Sequence, residues 1–374
     1  MSKMCFQQDF VTSAPAPSIV SEYSAFPRLQ SRNWEPGNRS TLNNLLKYHS
    51  ELPHDDTKVA VFDFDNTSLF GDVGKTVFRY QLDNLLFRLS PQGFANLFPD
   101  YSGTVGNRPY QVIKNRIISL YEALWPFISS NRRDIALVLS KYQEFYVLLP
   151  WYCEASRQEQ ELGPEYSLTF LARLLSGYTT DEVEYISCMA FMGALEEPIG
   201  KQRRIVHCKD PIGFLESCQA TGLRVQPEIA DLMKQLRLVG LDCSIVSASN
   251  EWVVKAAVTF FGLPVDEENV FGIRVRLNER EVLSQELPDN YPVTYRHGKV
   301  SVINTFLKKQ PVLVAGDAVT DFEMLTMDQV SVRLLINHNK SGIISSLYND
   351  PEILLQGIDK TTGSFRPHTE TLER

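Results

Sequence analysis

Two aspartates one residue apart carry the strongest chemical signal in the sequence. Asp63 and Asp65 follow the short apolar run 59–62 and precede Asn66 and Thr67. If the run is a buried strand, alternate residues point the same way, so both carboxylates share one side of its carboxyl end. Two like charges held that close need a cation, a proton or a substrate between them. The alternative is a plain Asp-Asn turn.

Further polar residues follow other runs of strand character. Ser247 and Asp317 each follow an apolar run, Asp321 completes a Gly-Asp-x3-Asp pattern, and Lys299 lies between these segments. Taken singly, they are typical of turns, solvated surfaces and helix caps. Taken together, they favour a shared site, because parallel strands gather their carboxyl ends at one edge of the sheet.

The elements that must position these side chains alternate between strand and helix after about residue 225. Strands are predicted at 59–62, 243–246, 312–315 and 331–336, and helices at 229–238, 251–261 and 300–307. This alternation predicts an α/β fold, a doubly wound and mostly parallel sheet.

A long helical pattern separates the first strand from the others and is too long for one crossover. It predicts a helical cap domain inserted just after the first core strand. The expected organisation is an N-terminal tail and helix (1–54), a catalytic core (55–74 and 222–350), the cap (75–221) and a C-terminal tail (351–374).

Composition excludes some functions and leaves the compartment open. The chain has 374 residues, a net charge of −8, 43% hydrophobic residues and 22% charged residues, as in a globular protein. The acidic balance argues against a nucleic-acid partner, and no apolar run is long enough to span a membrane. Residues 1–30 lack the pattern of a secretory signal, which favours the cytoplasm, with export or delivery to a host left open.

The order of the polar residues resembles the haloacid dehalogenase (HAD) superfamily of hydrolases. Motif one is matched by Asp63-Phe64-Asp65-Asn66-Thr67, motif two by Ser247, motif three by Lys299 and motif four by residues 316–321. The resemblance covers about residues 57–74 and 225–340 and implies a HAD-like Rossmannoid core. The segment 65–70, followed by Tyr80-Gln81-Leu82, is similar more narrowly to bacterial phosphorylcholine phosphatases and their phosphoserine-phosphatase-like relatives.

The resemblance implies a role for each matched residue. Asp63 is the expected nucleophile, forming an aspartyl-phosphate, and Asp65 the general acid and base. Ser247 and Lys299 are expected to hold phosphoryl oxygens, with Thr67 ordering the loop. Mg²⁺ is the expected cofactor, held by Asp63, the Asp65 backbone carbonyl, Asp317 and Asp321.

The predicted reaction is hydrolysis of a small phosphomonoester, with phosphocholine first and phosphoserine next. Aromatic residues of the cap, and Trp252 after the Ser247 loop, are candidates for contact with the substrate, as a cation–π cage if it carries a quaternary ammonium. The alternatives are a phosphatase acting on phosphotyrosine in proteins and a catalytically silent HAD-like binding protein. A dehalogenase is disfavoured, because its halide leaving group needs no proton from Asp65.

Overall fold

A seven-stranded sheet forms the centre of the computed structural model, which describes residues 27–30 and 33–373. In chain order the strands are β1 (Lys58–Phe62), β2 (Leu69–Phe70), β3 (Thr104–Val105), β4 (Arg108–Pro109), β5 (Gly200–His207), β6 (Phe214–Thr221), β7 (Arg224–Val225), β8 (Asp242–Asn250), β9 (Val270–Ile273), β10 (Gln310–Gly316), β11 (Val332–Asn337), β12 (Ile353–Asp359) and β13 (Ser364–Phe365). The central sheet has the order β13-β12-β11-β10-β1-β8-β9, and all its pairs are parallel except β12 with β13.

Twelve α-helices accompany the strands in the described part of the chain. They are α1 (Pro36–Ser50), α2 (Val73–Asn84), α3 (Pro91–Ala95), α4 (Tyr110–Ser129), α5 (Arg133–Leu137), α6 (Ser140–Gln158), α7 (Gly163–Arg173), α8 (Thr180–Glu196), α9 (Pro227–Leu238), α10 (Glu251–Phe261), α11 (His297–Val302) and α12 (Phe322–Leu325). The predicted α/β fold with a mostly parallel sheet is confirmed.

Strand β1 occupies the middle of the sheet because its residues suit a strand buried on both faces. The run from Val59 to Phe62 is fully buried, as expected for a parallel strand covered on both sides. Phe62 pairs with Ala315 of β10 on one side and Ile245 of β8 on the other. Strands β1 and β10 therefore end almost level, while β8 continues past them to Asn250, and all three bring residues to the same edge of the sheet.

The segment between β1 and β8 forms a helical unit with its own hydrophobic core. Helices α2, α4, α6 and α7 contribute to it, and its buried members include Phe94, Tyr121, Phe145 and Phe170. Residues 75–221 were expected to be almost entirely helical, but β5 and β6 pair as an antiparallel hairpin that packs on α6. The burial of β5 alternates with every residue, which is the pattern of a strand with one face in solvent.

Helix α8 lies inside the predicted cap range but packs with the core. Its buried residues Val183, Ile186 and Phe191 belong to the hydrophobic cluster that covers the sheet, and the helix contacts α10. Thr179 caps it with a capping box closed by Glu182.

The range predicted as a C-terminal tail (351–374) contains two strands of the central sheet. Residues 353–359 form β12, which pairs in parallel with β11, and β13 adds an antiparallel edge. This strand was not predicted because neither an Asp-x-Asp nor a Gly-Asp pattern follows it, and its polar ending resembles an ordinary turn. At the other end, the tail predicted for residues 1–30 lies mainly outside the described residues, while α1 covers the predicted N-terminal helix.

The described residues also bear on the membrane prediction. Among them, no helix combines the length and the apolar character needed to cross a bilayer.

Candidate active site

Asp63 is the first residue after β1, at the centre of the sheet edge. Its backbone N–H donates to the carbonyl of Ala315 on β10 at 2.9 Å, which extends the parallel pairing by one residue. The carboxylate is 4% exposed, and Ser68 donates its hydroxyl to the Asp63 carbonyl at 2.7 Å. The hydroxyl of Thr67 donates to Oδ2 at 3.3 Å. The turn after the strand therefore fixes the carboxylate that the sequence singled out.

Lys299 joins two of the buried carboxylates. Its Nζ donates to Asp63 Oδ1 at 2.5 Å and to Asp321 Oδ1 at 2.7 Å, and its side chain is 0% exposed. The preceding loop can bring Lys299 this deep because residue 298 is glycine. A Cβ there would lie 1.7 Å from the carbonyl oxygen of Val293, which no other residue type would allow.

Asp317 and Asp321 complete an acidic cluster beneath the edge of the sheet. The backbone N–H groups of Asp317 and Ala318 donate to Asp321 Oδ2 at 3.0 and 3.1 Å, which holds the turn after β10. Gly316 makes this turn feasible, because a Cβ there would come within 2.6 Å of the Asp321 side chain. Oxygens of Asp63, Asp317 and Asp321 all lie within 4.8 Å of one another.

The cluster suits a hard divalent cation. Its three ligands are buried carboxylates, and oxygen ligands of this kind are those that Mg²⁺ prefers. The site also carries positive charge of its own, since Lys340 forms an ion pair with Asp317 Oδ2 alongside the Lys299 contacts. The side chains present therefore fit a cation held by Asp63, Asp317 and Asp321.

Burial dominates the electrostatics of these carboxylates. It raises the pKa of Asp63 to about 7, with Asp321 adding to the rise and Lys299 opposing it. Burial also raises the pKa of Asp317 to about 6, while Lys340 opposes the rise. For Lys299 burial acts in the opposite sense, but Asp321 and Asp63 outweigh it and raise the lysine pKa. The ammonium group therefore stays charged, and the carboxylates ionise only as a cation or a lysine compensates them.

Asp65 lies on the same side as Asp63 but has different partners. Its Oδ1 accepts from the backbone N–H of Val73 at the start of α2 at 2.6 Å, and its Oδ2 accepts from the Ser249 hydroxyl at 2.6 Å. Burial raises its pKa well above the ordinary value, and the charges of Asp72 and Asp63 add to the rise. A carboxyl group in this state can donate a proton near neutral pH.

Ser247 lies in the carboxyl-terminal half of β8, the strand next to β1, and is fully buried. Its hydroxyl accepts from the Ser249 backbone N–H at 3.1 Å, and its carbonyl accepts from the Thr294 hydroxyl at 2.5 Å. The structure thus brings Ser247 to the same edge as the acidic residues, within a hydrogen-bonded turn.

The aromatic candidates are placed differently. Trp252 packs on the hydrophobic core as the second residue of α10 and lies outside the linings of both cavities described below. Phe145, Tyr146 and Tyr152 are buried in the core of the cap. Trp151 is the exception among the predicted cap aromatics, because it lines a cavity.

Three residues near the site were missed in the sequence. Ser249 shares a strand face with Ser247, so the rule of alternation could have found it. Lys340 and His338 follow the end of β11, where His338 Nε2 lies 2.9 Å from the carbonyl oxygen of Asn66. In the sequence, they belong to a polar loop after a predicted strand. This loop contains no carboxylate, so it resembled an ordinary surface turn.

Two neighbouring cavities lie between Ser249, the hydrogen-bond partner of Asp65, and the cap. A small one of about 40 Å³ is lined by Asp72, Gly74 and Ser249, and Ser249 is the partner of Asp65. A larger one of about 520 Å³ lies among α2, α6, α7 and the β5–β6 hairpin. Four residues line both cavities: Lys75, Phe78, Leu168 and Leu171.

A solved structure resembles this chain over nearly its whole length. The fold matches a conserved protein of unknown function from Anaerococcus prevotii DSM 20548 with a TM-score of 0.80 and 25% identity, covering 92% of this chain and 98% of the other. Both the sheet and the inserted cap therefore have a counterpart of nearly the same length.

Weaker likenesses are too distant to carry an argument. A HAD-family hydrolase from Salmonella enterica serovar Typhi gives a TM-score of 0.36 at 9% identity, covering 79% of this chain and 66% of the other. A phosphoserine phosphohydrolase-like protein from Francisella tularensis gives 0.34 at 11% identity, covering 75% and 86%. No protein-family model matches the sequence, and no curated protein matches it significantly.

Proposed function

We propose that the protein is a Mg²⁺-dependent phosphomonoester hydrolase of the HAD type. The observation that carries the proposal is the meeting of Asp63, Asp65, Lys299 and the Asp317–Asp321 pair at one edge of a parallel sheet. A strand-end nucleophile beside a buried lysine and a cation site is an arrangement suited to phosphoryl transfer, where positioning and charge stabilisation do most of the catalysis.

In the first step an ionised oxygen of Asp63 attacks phosphorus, and the bond between phosphorus and the ester oxygen breaks. The Asp65 carboxyl gives its proton to the departing alkoxide, so the alcohol leaves neutral. In the second step Asp65 takes a proton from water as that water attacks phosphorus. The bond between phosphorus and Asp63 then breaks, and inorganic phosphate leaves. The raised pKa of Asp65 supports its use as the acid.

The remaining residues would bind the cation and the phosphoryl group and would orient Asp63. Asp63, Asp317 and Asp321 would hold the cation, with the Asp65 backbone carbonyl as a further ligand. Bound there, Mg²⁺ supplies positive charge that offsets the carboxylates and the phosphate oxygens. Lys299 and Ser247 would bind phosphoryl oxygens, and Thr67 would orient Asp63, to which it already donates a hydrogen bond.

The burial of the site supports a small substrate rather than a phosphorylated protein. Asp63, Ser247 and Lys299 are all buried, so a side chain on a folded protein could not reach them without opening the cap. The presence of both Asp63 and Asp65 argues against a silent binding protein, which needs neither. Phosphocholine stays a prediction. The larger cavity offers the rings of Phe78 and Trp151 for a cation–π cage. The Trp151 ring already contacts another cation, the Arg108 guanidinium, at 5.2 Å, so this cavity gives phosphocholine little support.

The test is phosphate release with Mg²⁺ and after its removal by a chelator. The panel is phosphocholine, phosphoethanolamine, phosphoserine, phosphotyrosine and p-nitrophenyl phosphate. Release that requires Mg²⁺ supports the proposal. The absence of release from every compound, with the protein folded, would contradict it and favour the binding protein.

A further inference from the structure

The larger cavity has the features of a built binding site. Its volume of about 520 Å³ falls in the range of pockets that hold drug-sized ligands, and choline or serine would fill only a small part of it. One of its lining residues, Ser217, is 3% exposed, yet its hydroxyl has no hydrogen-bond partner in the described chain. A buried hydroxyl without a partner is costly, and a ligand in the cavity would satisfy it.

The charges around the cavity favour an anion. Three cationic side chains line it, against the acids Glu154 and Glu216. Glu216 already pairs with Arg203 at 3.6 Å. Among the described residues, Arg157 and Lys201 form no ion pair. Two cations that form no ion pair within the described residues, at one cavity of a chain of net charge −8, form a local site for a negative group.

The position of the cavity connects it with the leaving group. The general acid must face the ester oxygen that departs, and Asp65 is bonded to Ser249 at the small cavity. Lys75, which pairs with Asp72 at 3.4 Å, lines both cavities. An alcohol group that leaves on the Asp65 side would therefore extend past Lys75 toward Arg157 and Lys201.

We infer that the larger cavity binds the alcohol part of the substrate and that this part carries a carboxylate or another anionic group at its far end. Arg157 and Lys201 would bind that group, the Ser217 hydroxyl would bond to its polar atoms, and Trp151 and Leu168 would contact its carbon skeleton. The inference rests on the proposed function for the direction of the substrate, but the anion site itself does not depend on catalysis.

The experiment compares phenyl phosphate with 4-carboxyphenyl phosphate, which differ by one distal carboxylate. Wild type should have the higher kcat/KM for the carboxylated ester. In the Arg157→Gln/Lys201→Gln variant this preference should fall by roughly tenfold, the equivalent of about 1.4 kcal/mol, while turnover of phenyl phosphate stays unchanged. Lys209→Gln is the matched control, because Lys209 is exposed in the same hairpin and outside the lining.

A binding measurement separates this inference from the proposed function. Calorimetry with 4-hydroxybenzoate and phenol on the Asp63→Asn variant should show tighter binding of the carboxylate, lost in the double variant. That result without any turnover would retain the anion site and overturn only the proposed function. Turnover with no preference for the carboxylate, or a preference that survives the double substitution, would overturn the inference and leave the function standing.

Discussion

The Nζ of Lys299 lies 2.5 Å from Oδ1 of Asp63, and both side chains are buried. This contact links the end of the first core strand to the start of α11, more than two hundred residues later in the chain. It places a positive charge next to the proposed nucleophile. In the metal-free protein, the positive charge of Lys299 therefore offsets the negative charge of Asp63 and Asp321.

Removal of that charge should harm both stability and activity. The Lys299→Met variant keeps most of the side-chain volume but leaves Asp63 and Asp321 without their shared donor, and the loss of one partner of a buried pair costs about 3–5 kcal/mol. We expect a lower Tm in the metal-free variant, a partial recovery with Mg²⁺ and little phosphatase activity. Calorimetry with and without Mg²⁺ measures the two Tm values. Lys309→Met, at a half-exposed ion pair with Asp242, is the control, and equal effects at the two sites would contradict the account.

The apparent affinity for Mg²⁺ should rise with pH. In the metal-free folded protein the pKa of Asp63 is raised to about 7 and that of Asp317 to about 6, whereas the unfolded chain loses these protons near its ordinary aspartate pKa. Stability from these two groups is therefore complete at low pH and decreases as pH rises through about 4 to about 7. A cation binds the ionised carboxylates and so competes with their protons.

The measurement is the increase in Tm caused by Mg²⁺ at several pH values. It should be small near pH 5, where binding releases about one to two protons, and larger near pH 8, where binding releases few. The Asp317→Asn variant should lose most of the increase. An increase that is independent of pH would show that Asp63 and Asp317 do not take part in binding.

Substitution of Asp65 should slow hydrolysis most for esters with poor leaving groups. The Asp65→Asn variant keeps an acceptor oxygen for the Val73 N–H, and its amide N–H can donate to the Ser249 hydroxyl. It cannot give up a proton as an acid, so hydrolysis of alkyl phosphates should slow by roughly 10²–10⁴-fold. Esters with good leaving groups, such as p-nitrophenyl phosphate, should lose less in the first step. A series of aryl phosphates measures the dependence on leaving-group pKa, and an equal loss across the series would exclude Asp65 as the general acid.

His338 should make the protein less stable in acid. Burial lowers its pKa to about 3, and the charges of Lys340 and Lys360 add to the effect. Its folded pKa lies below the unfolded value, so the stability it provides is present above about pH 6.5 and is lost as pH falls toward 3. The loss is about 2 kcal/mol between pH 6.5 and pH 5. The free energy of unfolding, measured by chemical denaturation over this pH range, should decrease less steeply with falling pH in His338→Gln than in wild type. Identical slopes would show that His338 is not the source of the acid sensitivity.

The parts of the fold nearest the site were the most predictable from sequence. Strands β1, β8 and β10 are apolar runs that end abruptly in polar residues, and helix α10 was predicted with its observed bounds. The hairpin of β5 and β6 was missed because its residues are mostly polar and one face is exposed. Lys340 was missed because its role depends on contact with Asp317, which sequence spacing does not reveal.

The cavity was beyond sequence analysis for a related reason. Its lining comes from three helices and a hairpin, so no single segment contains a recognisable pattern. Trp252 was predicted to contact the substrate because of its place after the Ser247 loop, and that contact stays a prediction. Its partly buried ring packs against the hydrophobic core.

The most direct test of the central claim is to trap the covalent intermediate on Asp63. The enzyme is mixed with Mg²⁺ and a substrate that it hydrolyses, quenched, reduced with borohydride and digested for peptide mass spectrometry. An aspartyl-phosphate mechanism predicts modification of wild type at Asp63, with neither modification nor phosphate release in a folded Asp63→Asn variant. Substantial phosphate release by that variant, or modification at another residue, would contradict it.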